Sequence, residues 1–464
     1  MRLVFPESVM FVRIYKAATG PWLPVGVFLF FYTVTTVIGA LWFMTASGEA
    51  DLFRMLDGMS RQVASDIGSP TYLSVLLLPF IVTPALAFVG IYLTQRLYRN
   101  AGFSRWLKHL EVKLLPLIAL SSAAVAYCIY RLAINHALIP DVHGSYQENI
   151  LRRVELFDRL GSLFFLITYG FLPILTVIFL ARFMRDRRLV DLIGFLVMYL
   201  AFQVIIFDTL AKSHLLVISI MLICAVLIAR ASTWYIPAIA IVSVGCYLYT
   251  NAVLNGFMQE SVVVTAPVAN QGEPPKIEMP KSNSEGTAST SPESPPAAIN
   301  PIKNIIYRMS SSFPFYIHIF GRAEKRCGIE AKTVRTVLHL PASNCVLPIK
   351  VFAAMSPEIT WVTGYAPAAA NISAYGEMGL AWSICVMAIS GFILGILGAT
   401  ATIGSGPLYV AFGVASCTFG YYLSQLPLIA TFTYGHGLIF LTLPILLLVL
   451  ASKVKLPAGM LRVA

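Results

Sequence analysis

Apolar runs of about 20 residues return along this chain, beginning with PWLPVGVFLFFYTVTTVIGALWFM at positions 21–44. A run of that length is what an α-helix needs to cross a hydrocarbon core of ~30 Å. Inside that core a helix pairs its own backbone N–H and C=O groups, which a lone strand cannot do. Short alternating strands, the mark of an outer-membrane barrel, are absent. The fold class is therefore an all-α polytopic integral membrane protein. Composition agrees, with 58% hydrophobic and 12% charged residues, against about 25% charged in soluble domains.

Ten spans are expected, at 21–44, 72–93, 114–133, 163–181, 189–207, 213–229, 233–254, 378–400, 407–426 and 431–451. A re-entrant segment or two would raise the count to 12. Basic residues mark every second connection: Arg96, Arg99, Arg105, Lys108 and Lys113, then Arg182, Arg185, Arg187 and Arg188, then Arg230, then Lys453, Lys455 and Arg462. Lys/Arg excess marks the cytoplasmic side, so both termini are expected there. Residues 1–20 read as a cytoplasmic amphipathic segment rather than a cleavable signal, and no C-terminal lipidation box follows. The net charge of +11 suits anionic headgroups or an anionic lipid-linked substrate. No folded basic domain is present to carry nucleic acid.

The organisation then reads as a bundle of about seven helices at 21–254, a linker at 255–303, an exported loop at 304–377, and about three helices at 378–464. The linker is Pro/Ser/Glu-rich with few large apolar residues, a composition too poor in burial to offset its ordering entropy. In the loop, NIIYRMSSSFPFYIHIFGRAEKRC has the content of an interfacial helix, lying on the membrane surface or in a cleft. Of seven cysteines, Cys128, Cys224, Cys246, Cys385 and Cys417 fall in spans. Cys327 and Cys345 fall in the exported loop, where an oxidising compartment favours a disulfide over two free thiols. No metal-ligand spacing accompanies them, and no cofactor is expected.

Motifs for nucleotide hydrolysis, dinucleotide binding, zinc proteolysis and serine hydrolysis are all missing. Candidate sites are polar residues near the exported ends of spans, and each has a bland alternative. FDTLAKSHLLV places Asp208, Lys212 and His214 at a short turn, with the lysine at a helix N-terminus suited to phosphate; the alternative is an idle, solvated turn. Arg131 lies near His136 at the end of the third span and either lines a polar cavity or snorkels. Tyr307, Arg308, Tyr316, His318 and Arg322 combine cations with aromatic faces, or simply anchor a helix among headgroups. Glu377 reads as the first turn of the eighth span, as a helix cap or a general base. His436 lies between two glycines near the tenth span, as a core residue or a ligand contact.

The architecture, together with FDTLAKSHLLVI, YRMSSSFPFY and GYAPAAANISAYGEMGLAW, resembles the bacterial oligosaccharide-repeat polymerases of the Wzy type, relatives of the O-antigen ligases. The insert at 260–300 departs from that pattern. The resemblance implies a GT-C-like fold in the bacterial inner membrane, with a metal-independent glycosyl transfer facing the periplasm. A glycan on polyprenyl diphosphate is the implied donor, and a lipid-linked repeat unit is the acceptor. A chain-length regulator is a further implied partner. On this view Arg131, Lys212, Arg308 and Arg322 cradle the diphosphate or its sugar, and Asp208, His214 or Glu377 is the base. Tyr307 and Tyr316, with His436, hold sugars. A glycan ligase and a transporter or flippase of lipid-linked sugars remain open. The scarcity of ionisable residues in mid-span weighs against transport.

Overall fold

A computed structural model describes residues 20–100, 111–138, 155–209, 212–232, 234–254, 307, 309–329, 345–358, 364–404, 406–433 and 437–453. The expected N-terminal amphipathic segment and the Pro/Ser-rich linker lie outside these residues, as do Arg308, His436 and the side chain of Lys212. The described residues are helical, with no strand among them. Among the described residues, seven helices are long and apolar enough to cross a membrane: Leu23–Trp42, Pro70–Arg99, Leu114–Ile134, Ser162–Asp186, Leu189–Asp208, Leu380–Ala401 and Leu428–Ser452. Helices also occupy the other three positions where spans are expected, at Lys212–Ile228, Tyr235–Leu254 and Pro407–Leu423.

In chain order the elements are α1 (Leu23–Trp42), α2 (Ala46–Met55), α3 (Arg61–Ser65), α4 (Pro70–Asn100), α5 (Leu114–Ile134), α6 (Ser162–Asp186), α7 (Leu189–Asp208) and α8 (Lys212–Ile228). They continue with α9 (Tyr235–Leu254), α10 (Phe313–Phe320), α11 (Leu347–Met355), α12 (Ala370–Met378), α13 (Leu380–Ala401), α14 (Pro407–Leu423), α15 (Leu428–Thr433) and α16 (Leu438–Lys453). α14 is the axial helix. It touches α1, α6, α8, α13 and α16, and nearly all of its residues are buried. A helix that is apolar all round belongs in such a position.

Two features weld the N-terminal helices to the C-terminal ones. The first is a stripe of small residues between α4 and α13. An added Cβ at Gly391 would lie 2.4 Å from the Thr83 carbonyl oxygen, and one at Gly395 would lie 2.2 Å from that of Ala87. In lipid no hydrophobic force draws helices together, so backbone approach through a Gly-xxx-Gly ridge supplies the packing. The second feature repairs a break. Pro79 lies inside α4, and a proline leaves the carbonyl four residues before it, here that of Val75, without its helical partner. Asn371 of α12 donates to the Val75 oxygen at 2.8 Å and to the Tyr32 hydroxyl at 2.9 Å. Tyr32 in turn donates to the Leu76 oxygen at 3.0 Å. One fully buried amide thus ties α1, α4 and α12 together.

At the other end of the bundle, Arg182 and Asp191 form a buried pair at 2.7 Å, and Arg182 also donates to the Val112 carbonyl at 2.6 Å. This pins α6, α7 and the approach to α5.

Of the two settings expected for it, α10 takes the cleft. Phe313, Phe315, Tyr316, Ile317 and Phe320 are all buried, and α10 sits in a socket of α3, α4, α11 and α12. Its apolar residues surround most of the helix, and only His318 and Ile319 are left partly exposed.

Replacing Gly391 with Leu or Gly395 with Ile is expected to destabilise the fold by about 1–3 kcal/mol or more, through forced overpacking. Thermal unfolding followed by size-exclusion chromatography in detergent reads this as a lower midpoint, whereas a bulky change at Ile384, exposed on the same helix (41%), leaves the midpoint unchanged.

Candidate functional site

The site is organised by a helix break. α12 ends at Met378 and α13 begins at Leu380, and Gly379 between them has φ +90°. The positive φ requires glycine, and an added Cβ would also come within 2.5 Å of the Arg326 guanidinium carbon, a flexible side-chain end that would have to shift. The break moves Glu377 from its expected place. It is not in the first turn of a span. It lies in the last turn of α12, the negative end of that helix dipole, where a carboxylate is disfavoured.

Glu377 is nevertheless buried, at 8% exposure. The Trp382 indole N–H donates to Glu377 Oε2 at 2.7 Å. Residues 326–328 run along the same helix end. The Cys327 and Gly328 amides donate to the carbonyls of Gly376 and Glu377 at 3.3 and 3.0 Å, and the Arg326 guanidinium donates to that of Met378 at 3.3 Å. These bonds satisfy carbonyls that the helix terminus leaves open, with a cation where the dipole favours one. Cys327 also stands at disulfide distance from Cys345, Cα to Cα 5.4 Å, which ties this segment to the start of α11.

A cavity of about 520 Å³ opens beside Glu377. Trp382, Val386 and Ile389 of α13 line it at helical spacing, so it follows that helix for about 10 Å. Pro348, Ile329 and residues 425–430 close the other walls. Tyr365, largely exposed, stands at its margin. The turn at 322–326, whose Arg326 end reaches the Met378 carbonyl, carries Arg322 and Lys325, both exposed, with Glu324 between them.

On the opposite side of α12 (residues 375 and 377 diverge by about 200°) lies a second polar group. His318 Nδ1 and Asp66 Oδ2 are 2.8 Å apart, with both side chains about a third exposed. Tyr307 donates to Asp51 Oδ2 at 2.9 Å, and the Trp42 indole approaches the same oxygen at 3.4 Å. Asp51 and Asp66 therefore hold the segment between α1 and α4 against residues 307–320.

The expected site residues fall into two groups. Glu377 and Arg322 belong to the α12 region. Tyr307 and Tyr316 are near it but are core residues. Tyr307 is 4% exposed, and Tyr316, fully buried, donates to the Ala366 carbonyl at 3.2 Å. Neither ring offers a face to a sugar. The other group surrounds the α7–α8 turn, which is as short as expected. Asp208 is buried rather than solvated there, and its Oδ2 has no partner among the described residues. The reason is packing of the last turn of α7, where Thr209 is also buried. His214 stacks on Tyr169 of the π-turn in α6, centroids 3.6 Å apart. Arg131 ties the end of α5 to the chain before α6. Its Nη2 donates to the Arg159 and Leu160 carbonyls at 2.8 and 2.7 Å.

Sequence reading missed Trp382, Arg326, Asn371 and the partnership of Asp66 with His318. Trp382 lies five residues past Glu377 and carried a usable signal, because an indole N–H beside a carboxylate across a glycine is a short-range pair. No cluster of His, Cys, Asp and Glu among the described residues is placed to hold a metal ion. Comparison with known proteins finds no matching family model, no matching curated protein and no matching solved structure.

Removing the cross-link with Cys327→Ser and Cys345→Ser together opens a loop of sequence separation 18 and is expected to cost about 3 kcal/mol through loop-closure entropy. A lower thermal midpoint, with a wild-type band that shifts on reduction in gels, checks it. Burial, followed by the adjacent Asp51 carboxylate, pushes the Tyr307 hydroxyl up to about 12 from 10.0. A group whose pKa rises on folding stabilises below its unfolded value and loses that contribution as pH climbs through the folded one. The thermal midpoint is therefore expected to fall between pH 10 and about 12, and Tyr307→Phe should remove part of that fall.

Proposed function

We propose that this chain is a membrane glycosyltransferase that extends a lipid-linked glycan, using a polyprenyl-diphosphate-linked donor and a lipid-linked repeat unit as acceptor. The observation that carries the reading is one juxtaposition. A buried carboxylate, a cationic turn and an apolar cavity are fastened together at the broken α12–α13 helix by the bonds of residues 326–328. Glycosyl transfer from a lipid carrier asks for those three elements: a proton acceptor, positive charge for a leaving diphosphate, and a surface that tolerates lipid. In the Wzy-type reading this end of the bundle faces the periplasm, ten spans cross the inner membrane and both termini are cytoplasmic.

Glu377 takes the proton of the acceptor hydroxyl as its oxygen bonds to the donor anomeric carbon. The bond from that carbon to the phosphate oxygen breaks, and its electron pair leaves with polyprenyl diphosphate. Trp382 fixes the carboxylate by its 2.7 Å hydrogen bond. Arg322 and Lys325 are exposed and stabilise the diphosphate, whereas Arg326 is turned onto the Met378 carbonyl. Asp208 and His214 lie around a different turn and are assigned no chemistry.

Host cells lacking the chain, complemented with Glu377→Gln, are expected to accumulate single lipid-linked repeat units and lose polymer by at least about 100-fold, as loss of a general base predicts. Arg322→Ala with Lys325→Ala should weaken polymer formation while leaving chain abundance intact. Gel analysis of surface and lipid-linked glycans reads both. Long lipid-linked chains in the variant cells would instead identify a ligase, and unchanged glycans would remove Glu377 from the reaction.

A further inference from the structure

Two helical hairpins turn at one end of the bundle, and each turn carries an arginine in a conformation that arginine seldom takes. α6 ends at Asp186 and α7 begins at Leu189, while α8 ends at Ile228 and α9 begins at Tyr235. Just past the first helix of each hairpin, Arg187 has φ +55° and Arg230 has φ +48°. Their amides close the helix ends on the Phe183 and Leu227 carbonyls at 2.9 and 3.2 Å. A left-handed residue at such a position is ordinarily glycine or asparagine. A cation anywhere in the last turn suits the helix dipole, so the dipole alone does not call for arginine at the strained position. Strain of this kind is kept where a side chain is used.

The two turns meet. Arg187 Nη1 donates to the Tyr235 hydroxyl at 2.7 Å, and its guanidinium carbon lies 5.6 Å from the centre of the Phe183 ring. The bond to Tyr235 uses one of the five N–H donors of that guanidinium and fixes its plane. Arg187, Arg188 and Arg230 are all exposed. The carboxylates beside the first turn are engaged elsewhere, Asp186 with Arg185 and Asp191 with buried Arg182, each at 2.7 Å. Apolar surface adjoins the cations. Leu189 and Val190 open α7 at 68% and 52% exposure, and Trp234, next to Tyr235, is 76% exposed. Guanidinium groups at the helix ends, an indole at the same level and aliphatic side chains along a spanning helix match the order of a phospholipid, from head to interface to chains.

We infer that Arg187, Arg188 and Arg230 bind the phosphate headgroup of an anionic phospholipid whose chains lie along the first turn of α7. Guanidinium pairs with phosphate through two parallel hydrogen bonds. A headgroup of net negative charge gains from each cation at the surface, and a zwitterionic one gains far less. The site shares no residue with that of Glu377 and does not rest on the glycosyl-transfer reading.

The test uses the full chain, stripped of lipid in detergent, with phosphatidylglycerol and phosphatidylcholine of matched chains as probes and native mass spectrometry as the readout. The wild type is expected to retain phosphatidylglycerol at least about tenfold more strongly than phosphatidylcholine. Arg187→Gln with Arg230→Gln should remove that preference. Arg187→Lys with Arg230→Lys, which keeps the charge but not the planar fork, should keep part of it. Arg188 takes no part in the Arg187–Tyr235 contact, so Arg188→Gln should lower the preference by about fivefold without loosening the turns, and it decides the matter if the paired glutamine variant does not fold. Arg96→Gln with Arg99→Gln removes the same charge from exposed positions of α4 and should leave the preference intact. Equal retention of the two lipids, or an unchanged preference in the folded Arg187 and Arg230 glutamine variant or in Arg188→Gln, would overturn the inference. An equal loss in the Arg96 and Arg99 variant would overturn it in favour of net charge. Displacement of the lipid by millimolar inorganic phosphate would overturn it in favour of a soluble anion.

Discussion

The side chain of Asn371 closes a gap that the rest of the fold leaves open. A proline within a lipid-embedded helix strands a carbonyl, and hydrocarbon offers it no water. Asn371 supplies the missing donor to Val75 and uses its second N–H on Tyr32. Its backbone carbonyl accepts from the Ser383 hydroxyl at 2.8 Å, across the break and into α13. α12 is therefore held at both ends, by Asn371 near its start and by residues 326–328 at its finish. A helix of nine residues has little stability of its own. These bonds, rather than helical propensity, fix where its last turn points, and Glu377 sits in that turn.

Glu377 is costly where it is. A buried carboxylate at the negative end of a helix gains nothing from the dipole, and burial removes water that would solvate it. The indole of Trp382 offsets part of that cost, and Arg326 neutralises the helix end without entering the cavity. Among the described residues, the carboxylate thus lies in the cavity wall, and the exposed cations Arg322 and Lys325 lie on the turn that leads into Arg326.

The spans were legible because hydropathy over about 20 residues reports a solvent, not a partner. The Cys327–Cys345 pair was legible for a similar reason: its two members are near in sequence and share a compartment. Glu377 was singled out but misplaced, because the run after Gly379 looks like a span that begins at the glutamate. The Gly-Leu pair at 379–380 carries no sign that φ turns positive there. α10 was recognised as helical and apolar, yet its socket is built from segments more than 200 residues away in the chain, such as α3 and α4. Asp66 and His318 are separated by 252 positions. No local pattern announces such a pair, and the same holds for Asn371 and Val75, separated by 296.

Two buried aspartates show why charge in an apolar stretch is an ambiguous signal. Asp191 and Asp208 lie at opposite ends of α7 and are both buried. Asp191 is held by Arg182 at 2.7 Å, and a pair of that kind is explained by the helices it pins. Sequence alone treats the two alike, because each is a lone carboxylate beside an apolar run. What distinguishes them is a partner: Arg182 precedes Asp191 by nine positions, on the preceding helix of a tight hairpin, and no arginine or lysine is offered to Asp208 at hydrogen-bond distance among the described residues. The π-turn of α6, with Tyr169 stacked on His214, lies beside the helix that follows Asp208. A wound-out turn of this kind costs helix stability and is retained where it re-aims a side chain. Here it brings the Tyr169 ring face to face with His214, so the first turn of α8 packs onto α6.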